Sequence, residues 1–220
     1  MIKKEVCMKI KICGIRTVQE LQMVEEAGAD FVGTVLFFPR SKRNITLDRA
    51  RELVAAANQV KMVAVTVEPT LAQAIEIQEA GYDYLQVHGD FLPELRMAIE
   101  NGRLKIPILK AFNGRDLASF SYYQNCDLVE GYVFDAATYG SGKTFDWSVL
   151  SKLPLAGDSK LTLLAGGLTP ENVGQAMDAL QAISLDGVDV SSGVEYEDGT
   201  SGKDPKRVLA FIQAVRKERL

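Results

Sequence analysis

Histidine is almost missing from this chain, which has only His88, and cysteine is scarce, with Cys7, Cys13 and Cys126. One imidazole cannot build a histidine-rich catalytic metal centre. Three thiols without paired spacing do not outline a structural zinc site, so no metal is expected. The odd count reads as reduced thiols in a cytoplasmic protein. Long hydrophobic runs are lacking too. The longest apolar stretch, around Phe31–Phe38, contains Gly33 and Thr34 and is far too short to span a bilayer. The opening residues, MIKKEVCMKIKIC, carry charges where a secretory signal would need an apolar core. Nor is there a block of one charge. The net charge is −4, with Lys and Arg mixed among Asp and Glu throughout, which argues against nucleic acid as a partner.

What is present is a repeating alternation. Short β-branched and aliphatic runs occur at Lys9–Cys13, Phe31–Leu36, Met62–Val67, Tyr84–Val87, Ile106–Ala111, Leu128–Phe134, Leu161–Ala165 and Gly187–Val190. Apolar residues three or four apart follow them, as in Val18, Leu21, Val24 and Ala27, or Leu47, Ala50, Leu53, Val54 and Ala57. Leu71, Ala74, Ile75 and Gln78 start another stripe, and Val208, Phe211, Ile212 and Val215 form the last. Gly28 and Gly81 each follow a stripe, where glycine takes the left-handed conformation at little cost. Thr169-Pro170 reads as an N-cap with proline at the first helical position. Strands separated by helices pair in parallel through crossovers. Eight such units in a 220-residue chain without linkers predict a single-domain (βα)8 barrel over residues 1–220, with an open doubly wound sheet as the alternative.

A barrel converges the C-terminal ends of its strands on one face, where such enzymes place their chemistry. Those positions here are polar: Cys13, the loop with Arg40, Lys42 and Arg43, then His88, Asp135, Gly166-Gly167, and Asp189 with Ser191-Ser192-Gly193. Cys13 is either a small buried apolar residue or a thiolate, base or nucleophile, with a lowered pKa, with Gly14 clearing space beside the sulfur. Asp135 is either a turn residue or a general acid whose pKa rises in a water-poor mouth. Pro39–Arg43 puts three cations within four residues, as a solvated loop or a carboxylate site in which the Arg43 guanidinium is the natural partner. Gly166-Gly167 and Ser191-Ser192-Gly193 are separately ordinary turns. Together, after strands seven and eight, they suit phosphate binding through backbone N–H groups. Asp189 beside them is a candidate acceptor for substrate hydrogen bonds. The segment Gly140–Thr144, G-S-G-K-T, imitates a nucleotide-binding loop, but Ala137 stands where its first glycine belongs, so it reads as a flap over the site.

Taken in order, these pieces resemble phosphoribosylanthranilate isomerases. They are K-I-C-G at Lys11–Gly14, P-R-S-K-R at Pro39–Arg43, Q-V-H-G at Gln86–Gly89 and F-D at Phe134-Asp135. The longest are G-S-G-K-T-F-D-W at Gly140–Trp147, A-G-G-L-T-P-E-N-V at Ala165–Val173 and D-V-S-S-G-V-E at Asp189–Glu195. The resemblance implies Cys13 as general base and Asp135 as general acid of an Amadori rearrangement. It implies Arg43, His88 and Asp189 against the small-molecule substrate, phosphate on the loops after strands seven and eight, no cofactor, and a monomer or homodimer. The competing readings are a catalytically silent paralogue that binds a phosphorylated metabolite, and another sugar-phosphate barrel enzyme. The chain departs from the family pattern in G-T-V-L at Gly33–Leu36, where an aromatic usually follows the glycine, and in V-T-V-E-P at Val65–Pro69, where Asn is expected.

Overall fold

In the computed structural model, residues 8–113, 119–135, 150, 153, 155, 158–180, 183, 185–198 and 200–217 are described. Eight parallel strands close into a barrel: β1 Lys9–Cys13, β2 Phe31–Leu36, β3 Lys61–Val67, β4 Tyr84–His88, β5 Ile108–Asn113, β6 Val129–Asp135, β7 Leu161–Leu164 and β8 Gly187–Val190. Closure is explicit, since β1 pairs with β2 on one side and β8 on the other. The open-sheet alternative is thereby excluded. A two-residue strand, Asn44–Ile45, adds to the far end of β2.

Three strands keep their expected bounds, and the largest displacement is in β5. Pro107 has no N–H to donate, so the strand begins at Ile108 while the Pro107 carbonyl still accepts from Leu85 N at 2.9 Å. At its other end β5 runs on to Asn113, paired opposite Asp135.

The period-two alternation of each strand separates two cores. Phe31, Val63, Val65, Leu109, Val133 and Leu163 fill the barrel interior. Ile10, Ile12, Val32, Met62, Leu85 and Val188 face outward to the helices. Helices α1 Val18–Ala27, α2 Leu47–Ala56 and α3 Leu71–Glu79 each start on a threonine cap, Thr17, Thr46 and Thr70. Each hydroxyl accepts from a backbone N–H three residues on, a contact worth ~1 kcal/mol. The helices α4 Pro93–Glu100, α5 Phe120–Gln124, α6 Val173–Ala179 and α7 Pro205–Lys217 complete those described. Gly28 and Gly81 have φ of 98° and 87°, as their position after α1 and α3 requires. In α3 the buried stripe is Ala74 and Ile77, not Ile75. Thr169-Pro170 opens a turn rather than the helix. Thr169 Oγ1 accepts from Glu171 N at 3.2 Å, and α6 starts one turn later at Val173.

The barrel floor is tied by aspartates that precede strands. Asp30 Oδ2 accepts from Ile10 N at 2.9 Å, Asp83 Oδ2 from Met62 N at 2.8 Å and Asp186 Oδ2 from Thr162 N at 2.8 Å. Each aspartate starts one strand and satisfies the N–H near the start of its neighbour. Lys9 and Lys61 add ion pairs to Asp30 and Asp83. The floor thus holds the register that sets which residues meet at the mouth.

Candidate active site at the barrel mouth

A cavity of about 480 Å³ opens at the C-terminal ends of the strands. Cys13, Arg43, His88, Asp135, Gly166, Gly167, Asp189, Ser191 and Ser192 line it, brought together from across the chain. Val35, Phe38, Val65 and Val67 form an apolar wall on the β2–β3 side. Of the expected residues, Gly193 is not in the lining. A side chain there would collide with the Leu168 carbonyl, so Gly193 lets the loops after β7 and β8 pack against each other.

Cys13 lies at the end of β1, on the interior face. Burial is the largest influence on its thiol and pushes the pKa up, against the opposing pull of Lys11, Lys203 and Arg43. Of the two readings of this residue, the thiolate one carried a lowered pKa, and here burial opposes that direction. Gly14 also needs reassignment. A Cβ there would sit 2.5 Å from Arg43 Cδ, so Gly14 clears the path of Arg43 and its φ of 85° makes the turn. Gly33 opens the space at the sulfur, because a Cβ on it would lie 2.9 Å from Cys13 Sγ.

Directly below, Lys11 is fully buried and donates from Nζ to Asp189 Oδ2 at 2.7 Å. The barrel register puts Lys11 opposite Asp189 across the β1–β8 seam. Burial resists a charge on Lys11, but Asp189 and Cys13 outweigh it and keep the ammonium protonated above its usual range. The other carboxylate oxygen, Asp189 Oδ1, is buried and has no hydrogen-bond partner among the described residues, ready for a donor from the cavity.

Asp135 closes β6, half-buried, across the cavity from β1. His88, also buried, has a pKa dropped to about 3, first by burial and then by the Lys11 and Lys110 charges. It stays neutral and contacts the Gln86 amide at 2.9 Å. That makes it a hydrogen-bonding wall rather than a proton carrier.

The basic loop is not simply solvated. Arg43 is 12% exposed and donates from Nε to Glu195 Oε1 at 2.5 Å. Lys42 and Lys203 reach the same carboxylate at 2.8 and 3.3 Å. Burial alone would raise the Glu195 pKa, but these three cations outweigh it and hold the group at about 2. Lys203 also donates to the Ser191 carbonyl at 2.9 Å, and the Ser191 hydroxyl donates to the Cys13 carbonyl at 3.0 Å. On the β7 side, Gly166 and Gly167 take φ of 85° and 68°, a reversal closed to most side chains. Asn172 Nδ2 secures it by donating to the Gly167 carbonyl at 2.9 Å. The Gly140–Thr144 flap lies outside the described residues.

Comparison with known proteins agrees with this geometry. The family model of N-(5'phosphoribosyl)anthranilate (PRA) isomerase matches residues 10–214. The chain belongs to the phosphoribosylanthranilate isomerase family. It is 39% identical to the N-(5'-phosphoribosyl)anthranilate isomerase of Moorella thermoacetica, covering 96% of this chain and 90% of that one. It is 36% identical to a chloroplastic form from Arabidopsis thaliana, covering 94% and 74%. Its fold superposes on the phosphoribosyl anthranilate isomerase of Thermotoga maritima with a TM-score of 0.78, 32% identity and coverage of 96% and 99%. A phosphoribosyl anthranilate isomerase solved with reduced 1-(o-carboxyphenylamino)-1-deoxyribulose 5-phosphate gives 0.76 at 30% identity, again over 96% and 99%.

Within this isomerase, sequence reasoning passed over Lys11, Gly33, Glu195 and Lys203. A signal existed for Lys11, which lies two residues before Cys13 and so on the same face of β1. Glu195 ends the D-V-S-S-G-V-E segment, yet nothing in its spacing points to Arg43, 152 residues away.

Proposed function

We propose that this chain isomerises N-(5'-phosphoribosyl)anthranilate to 1-(2-carboxyphenylamino)-1-deoxyribulose 5-phosphate, an acid–base Amadori rearrangement in tryptophan biosynthesis. Asp135 protonates the ribose ring oxygen, the amine nitrogen forms a double bond to C1, and the C1–O bond breaks to give a Schiff base. Cys13 then takes the C2 proton. The C–H electron pair becomes the C1–C2 double bond, and the C=N pair returns to nitrogen. The resulting enolamine tautomerises to the ketone. Arg43 takes the anthranilate carboxylate beside the Val35–Phe38 wall. The loops at Gly166-Gly167 and Ser191-Ser192 take the phosphate, with Gly193 shaping the second loop. Asp189 accepts from substrate, and neutral His88 bounds the pocket. The observation that carries this reading is that Cys13 on β1 and Asp135 on β6 line one cavity, with a guanidinium and two glycine- and serine-rich loops around it. The chain works as a cytoplasmic monomer or homodimer without a cofactor.

The test follows loss of anthranilate fluorescence after substrate is generated in situ, with chelator present throughout. Asp135→Asn and Cys13→Ala should each lower kcat by at least ~10²-fold, with smaller changes in KM because both anionic ends of the substrate are held elsewhere. Near-native kcat in a folded variant of either residue would remove it from the chemistry. Activity lost to chelator and restored by zinc or magnesium would overturn the metal-free mechanism.

A further inference from the structure

The reading of Cys13 as the base leaves a difficulty that the barrel interior resolves. A proton-abstracting sulfur must be a thiolate, and burial opposes that charge. Lys11 Nζ and Cys13 Sγ reach into the same gap, the one left by the missing side chain of Gly33. A Cβ there would lie 3.1 Å from the ammonium and 2.9 Å from the sulfur. Lys11 is fully buried, so water does not screen its charge, and it donates to Asp189 Oδ2 at 2.7 Å.

We propose that Lys11 is a positioning residue for the reaction: its ammonium, steered by Asp189, is the internal counter-ion that lets Cys13 carry a negative charge in the barrel. This rests on Cys13 being the base, and it assigns the adjoining lysine a part in supplying that base. The thiol proton leaves to water before substrate fills the mouth. The S–H bond is remade when the thiolate takes the substrate proton, and Lys11 keeps its own protons throughout. Asp189 acts in two opposed ways. It holds the ammonium in place, yet its own negative charge disfavours the thiolate. Gly33 is part of the device, because any side chain would wedge the two groups apart.

The opposed signs make a sharp test. In a Cys7→Ser, Cys126→Ser background, only Cys13 contributes thiolate absorbance and reacts with an alkylating probe. Its ionisation is read by titrating both signals against pH. Lys11→Met should shift the Cys13 titration upward by about one unit or more, with alkylation at neutral pH slowed about tenfold or more. Lys11→Arg should restore part of the shift. Asp189→Asn should move the titration downward, since it removes an anion but leaves the ammonium. The pH at which kcat rises should follow the thiol upward in Lys11→Met while KM changes little. If Lys11→Met fails to fold, Lys11→Gln, which keeps a polar end without the charge, gives the same reading. A Cys13 titration unmoved by Lys11→Met or Lys11→Gln would overturn the proposal. A shifted titration with kcat unchanged would leave the counter-ion role standing and remove Cys13 as the base.

Discussion

At the residue scale, the site is organised by charges that serve two neighbours at once. Glu195 holds Arg43, Lys42 and Lys203, and Lys203 in turn braces the Ser191 carbonyl. One carboxylate therefore couples the proposed carboxylate end of the pocket to the proposed phosphate loop. Arg43 uses Nε for Glu195, so the terminal pair of nitrogens is the part of the fork available to a substrate carboxylate. A lysine lacks the planar fork, so it cannot offer two parallel N–H groups to a carboxylate while also holding Glu195. Arg43→Lys should therefore raise KM by roughly 10-fold or more, the scale of a charge-assisted hydrogen bond, with a smaller change in kcat. Unchanged kcat/KM in a folded Arg43→Ala enzyme would remove Arg43 from recognition. Glu195→Gln should weaken the same binding less severely, by loosening Arg43 without deleting it. Steady-state kinetics on the three variants checks the order.

At the element scale, the floor and the mouth of the barrel divide the labour. Asp30 accepts from Ile10 N, pairs with Lys9 and Arg216, and so joins the starts of β1 and β2 to helix α7. Asp30→Ala leaves a strand N–H and two cations without this acceptor. It should cost about 1–3 kcal/mol of stability, measured by urea denaturation. Because this contact lies at the opposite end of the strands from Cys13, kcat should stay near native at a temperature where the variant is folded. A large fall in kcat with unchanged stability would mean that the floor transmits strain to the mouth. Most of these elements were legible beforehand. The eight strands follow from aliphatic runs, and three threonine-capped helices follow from apolar spacing. Most other strand edges moved by a single residue, whereas the larger misjudgements, at the start of β5 and of α6, lie beside prolines. There the local turn depends on which neighbouring strand or side chain supplies the partner.

At the scale of the whole molecule, the buried neutral His88 links stability to pH. Its folded pKa, about 3, lies below the ordinary value of 6.5. A depressed pKa means that the unfolded chain binds the proton more readily. The His88 contribution is thus fully present above about pH 6.5 and declines as pH falls toward 3. Glu195, ordinarily 4.5 and here about 2, adds a second loss once the pH drops below its ordinary value. Melting curves should show stability falling from pH 6.5 downward, with a limiting slope of about 1.4 kcal/mol per pH unit from one proton. His88→Gln should flatten the part between 6.5 and 4.5, and Glu195→Gln the part below it. A wild-type profile that is flat from 6.5 to 4.5 would mean that His88 is protonated within the fold.

By itself the sequence determined the barrel and most of the mouth. Strand and helix periods are local properties, and a (βα)8 closure brings strand ends together whatever their side chains. Cys13, Asp135 and the two loops after β7 and β8 could be placed on one face before any distance was known. Only the tertiary structure decided the partners. The β1–β8 seam sets Lys11 against Asp189, 178 residues apart. Loop packing sets Glu195 against Arg43, and Gly33 on β2 makes room for a sulfur and an ammonium from β1. The same packing decided the direction in which the Cys13 thiol is pushed, which the sequence left open. The desolvation that outweighs nearby cations depends on how completely the closed barrel excludes water, and no run of residues along the chain carries that quantity.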